Sequence, residues 1–185
     1  MTSKRFSRND WLDFGLLRLA DGGPDALRLQ DLCKAAEKTI GSFYHHFKDQ
    51  PVFFDALMRH WYQRNSIDVI AEIDQIPDAQ QQAERLTVVA SSMNQAVEVG
   101  VRNFAFQNET AAKMVAQVDQ TRITYLAGLH QQRLGIDEAT ALALAKLEYA
   151  AFVGTQVIWQ GGSLEHGQSM SDLFDELVNG YFKPS

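Results

Sequence analysis

The sequence has one cysteine, four prolines and no long apolar run, and each scarcity removes a class of protein. A lone cysteine, Cys33, makes neither an internal disulfide nor a multi-cysteine zinc site, which excludes secreted disulfide scaffolds and zinc fingers. Uninterrupted apolar runs extend over only a few residues, as from Ala150 to Gly154, against the roughly 20 needed to cross a bilayer. The opening Met1-Thr2-Ser3-Lys4-Arg5-Phe6 has basic residues without the apolar stretch or small-residue cleavage site of a secretory signal. These features predict a cytoplasmic protein with no membrane partner. Alternating apolar and polar runs of strand length are missing too, and prolines only at 24, 51, 77 and 184 leave long stretches free to be helical.

What remains is ordinary for one or two globular domains: 185 residues, 45% hydrophobic, with 23 acidic and 17 basic side chains. The charge is unevenly placed. Residues 1–64 hold ten Lys and Arg against eight Asp and Glu, whereas residues 65–185 hold seven against fifteen. His45, His46 and His60, three of the five histidines, also fall in the first part. A polyanion would prefer that end, although a solvated face of mixed charge gives the same balance.

The helical pattern starts with Ser7 as N-cap and Asp10 three residues later, a capping-box spacing, and runs through Trp11, Leu12, Phe14, Leu16, Leu17 and Leu19 to Gly22-Gly23-Pro24. Leu29, Leu32, Cys33 and Ala36 recur at i, i+3, i+4 and i+7, one buried face of a two-turn helix. A second short segment spans about Ile40 to Phe47. Asp49 then offers an N-cap with Pro51 in the first turn, and apolar positions from Phe53 to Ile73 carry a long helix toward Pro77, about 27 residues or 40 Å. Beyond it, helices are expected near 79–93, 95–107, 109–134, 137–160 and 171–182. Gly135 closes the third of these, Asp137 caps the next, and Gly161-Gly162 with Gly167 marks a loop before the last.

Two short helices joined by a tight turn and followed by a longer one have helix-turn-helix spacing. A short helix enters the roughly 12 Å major groove while its predecessor crosses the backbone. Thr39, Ser42, Tyr44, His45, His46 and Lys48 supply donors and charge at the second helix and its exit. A helical hairpin packed in a core would share the apolar pattern.

The run Trp11-Leu12-Asp13 through Gly23, then Leu29-x-Asp31-Leu32, Ala36 and above all Gly41-Ser42-Phe43-Tyr44-His45-His46-Phe47-Lys48-Asp49, resembles the DNA-binding region of the tetracycline-repressor (TetR) family of bacterial transcription regulators. The likeness covers roughly residues 7–60, and the rest in length and helix count only. It implies an all-α fold: an N-terminal three-helix helix-turn-helix domain, residues 1–48, and a C-terminal ligand-binding and dimerisation bundle, residues 49–185. It also implies that Gln30, Thr39, Ile40, Gly41, Ser42, Tyr44 and His46 face DNA, with Tyr44 and His46 on phosphates and 39–42 on base edges. The function implied is that of a dimeric repressor on a palindromic operator, released by a small molecule.

The sequence departs from the family pattern at three places. Glu37 and Lys38 stand where a turn glycine and a small apolar residue are usual, which either places a non-glycine residue at φ > 0, at about 1 kcal/mol, or remodels the turn. Gln50 replaces the usual lysine at the start of the long helix, removing one ionic phosphate contact and about 0.9 of salt slope. Arg28 replaces the usual threonine and is a candidate to restore that contact. Lys4, Arg5 and Arg8 form a basic arm. A helical ligand-binding module that has lost operator binding is the alternative these departures motivate.

In the later helices, Leu147, Ala150, Ala151, Val157 and Ile158 fall within about 60° of Gly154, and Leu173, Phe174, Leu177, Val178, Tyr181 and Phe182 form a stripe on the last helix. Two copies of this pair would build a four-helix dimer interface, and intramolecular packing is the competing use. Ala145, Tyr149, Phe152, Gln156 and Trp159 lie opposite Gly154. With Trp61, Tyr62, Met93, Phe104, Phe106, Met114 and Tyr125 they form a set suited to a largely apolar ligand or to plain core packing, with Arg102 and His130 as candidate polar anchors. No nucleophile elbow, P-loop or HExxH motif occurs. His45 and His46 point about 100° apart on a helix and do not both ligate one ion with Asp49. No enzyme activity, metal or cofactor is therefore expected, and Cys33 reads as a small buried hydrophobe.

Overall fold

The computed structural model describes residues 6–159 and 164–182, with the backbone alone for 164–168. Lys4 and Arg5 of the basic arm, and Gly161-Gly162 of the expected loop, lie outside the described residues. Among those described, every regular element is helical. In chain order these are α1 (Arg8–Gly22), a 3-10 turn (Pro24–Leu27), α2 (Leu29–Ala35), α3 (Ile40–Tyr44), α4 (Gln50–Tyr62), a π-helical turn (Gln63–Ile67), α5 (Asp68–Ile73), α6 (Ala79–Ser92), α7 (Gln95–Ala105), α8 (Glu109–Leu134), α9 (Glu138–Ile158) and α10 (Leu164–Tyr181).

The expected long helix after Asp49 is thus interrupted where the π-turn changes its pitch. The last helix starts at Leu164, with Gly167 inside it rather than in a loop, because a glycine without a neighbouring proline costs a helix only about 1 kcal/mol. The chain divides into two compact units, Met1–Gln63 with Ala96–Ala116, and Arg64–Gln95 with Gln117–Ser185.

In the first unit the capping box forms as the spacing predicts. Ser7 Oγ accepts from the Asp10 backbone at 3.1 Å, and Asp10 accepts from the Ser7 backbone at 2.8 Å. Trp11 stacks edge-on against Phe43, and Phe43 touches both Phe47 and Phe53, so one aromatic cluster joins α1, α3 and α4. Two glycines make room for close packing on α1. A Cβ on Gly15 would meet the Phe53 ring at 2.9 Å, and one on Gly100 would lie 2.6 Å from the Leu19 carbonyl oxygen, so α7 packs directly on the α1 backbone.

Between α2 and α3 the turn is not remodelled. Lys38 N–H donates to the Cys33 carbonyl at 2.9 Å and Glu37 N–H to the Lys34 carbonyl at 3.1 Å, the paired bonds of a Schellman motif. That motif needs a left-handed residue, and Glu37 takes it with φ of 52°.

In the second unit, Ala127, Ala141 and Ala145 bring α8 and α9 close, flanked by Ile123, Leu126, Ile136 and Leu142. Gly135, at φ of 65°, closes α8, and Asp137 caps α9 through Thr140. Arg85 donates twice to Glu72, at 3.0 and 2.6 Å, linking α5 to α6. Among the described helices α9 alone is long and apolar enough to cross a membrane by length and composition, and it carries Lys146 and Glu148.

The turn gives a direct test. Glu37→Gly removes the left-handed strain while keeping both Schellman bonds, so urea denaturation should show a gain of up to about 1 kcal/mol. A loss would mean that the Glu37 side chain contributes more than its backbone costs.

Candidate functional site

Three features of the structure bear on function, and the first is the surface around α3. Five residues are too few for a helix to persist alone; Phe43, fully buried, holds this one against α1 and α4. Thr39 caps it by accepting from the Ser42 backbone at 3.1 Å. The opposite side is open, with Gln30, Thr39, Ile40, Gly41, Tyr44, His45 and Lys48 exposed and Ser42 half-buried. Basic groups surround it: Arg8 lies over the Phe47 ring at 5.2 Å and Lys38 over the Phe6 ring at 5.6 Å.

Three residues expected on this surface make local bonds of their own. His46 Nε2 donates to the Phe6 carbonyl at 2.9 Å, which fixes the hydrogen on that nitrogen. Gln50 Nε2 donates to the Leu27 carbonyl at 3.3 Å, tying the start of α4 to the turn before α2. Arg28 pairs with Asp25 at 2.7 Å in full solvent, a bond of little energetic weight. Cys33 is buried, and that burial pushes its thiol above the usual range. No group of three His, Cys, Asp or Glu side chains is placed to hold a metal among the described residues.

The second feature is a cavity of about 160 Å³ inside the second unit. Met93, Tyr125, Tyr149 and Phe152, the candidate ligand contacts, line it together with His130, the candidate polar anchor, and so do Ala151 and Phe174, which were expected on the dimer face. The other expected ligand residues lie elsewhere. Trp61 is wholly buried in the first unit and donates from Nε1 to Glu98 at 2.9 Å. Phe104 packs edge-on against Phe54, while Tyr62, Arg102 and Met114 also belong to that unit. Phe106 is 87% exposed. Gln156 is buried in α9 and Trp159 caps that helix, both outside the cavity lining.

The lining also includes two arginines that the sequence pattern of candidates left out, Arg122 and Arg133. Arg122 donates to Ser66 Oγ and to the Asn65 carbonyl, both at 3.0 Å, and its Nη1 reaches the Tyr149 hydroxyl at 3.5 Å. Tyr149 in turn donates to Asp119 at 2.6 Å. Arg133 pairs with Asp175 at 3.0 Å, and His130 with Glu148 at 2.8 Å. Burial, aided by the bond that Tyr125 donates to Asp74 at 2.8 Å, raises the Tyr125 phenol well above its ordinary value. A signal was present in the sequence: Arg122, Leu126, Leu129 and Arg133 recur at i, i+4, i+7 and i+11, which puts two arginines on a stripe otherwise spaced for a core. A more open depression of about 530 Å³ lies nearby, lined by Ile70, Gln82, Gln120, Thr124, Leu129 and Gln132 among others.

The third feature is an apolar strip on α9 and α10. Leu147, Ala150, Val157, Ile158, Leu173, Leu177 and Tyr181 are exposed, and a Cβ on Gly154 would meet nothing within 4 Å. Val178 is buried within the unit. No protein-family model matches the chain, and no curated protein matches it either.

The two arginine environments predict opposite costs. Arg122→Ala removes charge-assisted bonds at a partly buried site and should lower stability in urea by about 1.5–3 kcal/mol. Arg28→Ala breaks an exposed pair and should change it by less than about 0.5 kcal/mol. Equal effects would contradict the account of the cavity.

Proposed function

We propose that this protein is a dimeric, tetracycline-repressor-like transcription repressor, cytoplasmic and not an enzyme. In this reading α2 and α3 form a helix-turn-helix that binds a palindromic operator, and the cavity binds the small molecule that releases it. The observation that carries the reading is α3 itself. A five-residue helix is held by buried Phe43 while Thr39, Ile40, Gly41 and Tyr44 face solvent beside Lys38 and Lys48. Such a helix offers small side chains and backbone close to its surface, which base-edge contact in a major groove needs, and the flanking cations suit phosphates.

The exposed strip on α9 and α10 supports a two-fold dimer, which would space two recognition helices about 34–36 Å apart, one DNA turn. Release requires the ligand to bind better to the conformation with misplaced recognition helices, with a coupling of typically about 1–3 kcal/mol. The π-turn is where we place that coupling. Asn65 and Ser66, which hold Arg122 at the cavity, sit in the stretch of chain that continues directly from α4. π-turns inside helices are frequent at functional positions.

A second reading is favoured by a specific observation. His46 and Gln50 turn polar ends to the Phe6 and Leu27 carbonyls, which withdraws two groups from phosphate contact and suits a ligand-binding module without operator recognition.

Fluorescence anisotropy on duplexes from the chain's own genomic neighbourhood, at varied salt, separates the two. Tight binding to a palindrome, weakened about tenfold or more by Tyr44→Ala, is the expected result. Leu177→Glu should sediment as a monomer and lose the palindrome. Binding that is indifferent to sequence and unchanged by Tyr44→Ala would favour the second reading.

A further inference from the structure

The polar groups of the cavity are spent on the protein itself. Its arginines and carboxylates number two of each, Arg122, Arg133, Glu148 and Asp175, so their formal charges cancel. Arg133 donates to Asp175 at 3.0 Å, and Glu148 accepts from His130 at 2.8 Å. Arg122 is engaged by Ser66 and the Asn65 carbonyl. The remaining nitrogens of Arg133 and His130 that have no partner are each covered, with less than 1 Å² accessible, and offer a ligand no approach.

The hydroxyls of the lining are committed in the same way. Thr87 donates to the Ala83 carbonyl at 3.1 Å, Ser91 to the Thr87 carbonyl at 2.8 Å and Thr155 to the Phe152 carbonyl at 2.7 Å, all within their own helices. Tyr125 and Tyr149 donate to Asp74 and Asp119. An ion entering this cavity would give up its hydration and meet counter-groups already paired, which is costly. What stays open to a ligand is the apolar wall, formed by Ile70, Leu86, Leu126, Leu129, Phe152 and Phe174 among others. The volume of about 160 Å³ is close to that of an apolar cavity known to hold benzene.

We propose that the cavity takes a neutral, apolar molecule about the size of benzene and rejects ions of either sign. The proposal rests on reading the cavity as a ligand site, and it gives that ligand a charge and a size.

Isothermal titration of the full-length protein with benzene, toluene, benzoate and benzylammonium tests it, the last three being of similar shape and differing in charge. Benzene and toluene should bind, and both ions should bind at least about tenfold more weakly than toluene. Ala151→Phe on α9 and, as a second filler, Ala90→Phe on α6 should each abolish toluene binding, with a cooperative thermal melt showing that the variant folds. Either ion binding as tightly as toluene, and losing that binding in the filled variants, would overturn the neutral class and leave a ligand cavity standing. Toluene binding that survives both fillers, or failure of all four probes to bind, would overturn the ligand cavity as well.

Discussion

The burial of Phe43 is the contact on which the presentation of α3 depends. A five-residue helix forms one hydrogen-bonded turn against the full cost of nucleation, and its own backbone does not repay that cost. The Phe43 ring, wedged among Trp11, Phe47 and Phe53, supplies the missing stabilisation and fixes which face of α3 looks outward. The neighbouring details serve the same end. Thr39 satisfies an orphan N–H at the start, the Schellman turn at Glu37 sets the entry angle, and Gln50 ties α4 to the turn that precedes α2.

The second unit is organised around polar side chains that α8 turns toward its interior. Arg122, Arg133 and His130 are spaced along one side of α8, and each is met by groups from elsewhere in the unit: the π-turn, α9 and α10. Desolvating these groups is costly, and an all-apolar core of the same shape would be at least as stable. Their cost is intelligible if the cavity they line is used, since preorganised polar groups in an apolar wall are what a specific ligand site requires. The π-turn fits the same logic, because it directs the Asn65 carbonyl and Ser66 hydroxyl toward Arg122.

Much of the helical layout was legible in the sequence because its signals are local. Ser7 with Asp10, Asp49 with Pro51, Asp137 and Gly135 each act within a few residues of where they stand, and the structure has them in those roles. The π-turn was not legible, since Gln63-Arg64-Asn65-Ser66 contains neither proline nor glycine to mark it. The composition of the cavity was only partly legible. Met93, Tyr125, Tyr149 and Phe152 were recognisable as candidates, but Trp61 and Phe104 have the same apolar character and are consumed by packing in the first unit. An aromatic side chain does not announce whether another side chain or a ligand will fill the space beside it. The charged stripe on α8 was the more informative signal, because a core position costs an arginine far more than it costs a tryptophan.

We propose above all that the outward face of α3 reads duplex DNA. The most direct test is selection of duplexes by the full-length protein from a pool of random sequence, followed by sequencing of the bound fraction. The account predicts enrichment of an inverted repeat whose half-sites are centred about 10 base pairs apart or a multiple of that. Recovery of DNA with no enriched motif, at a yield that merely falls with salt, would contradict it.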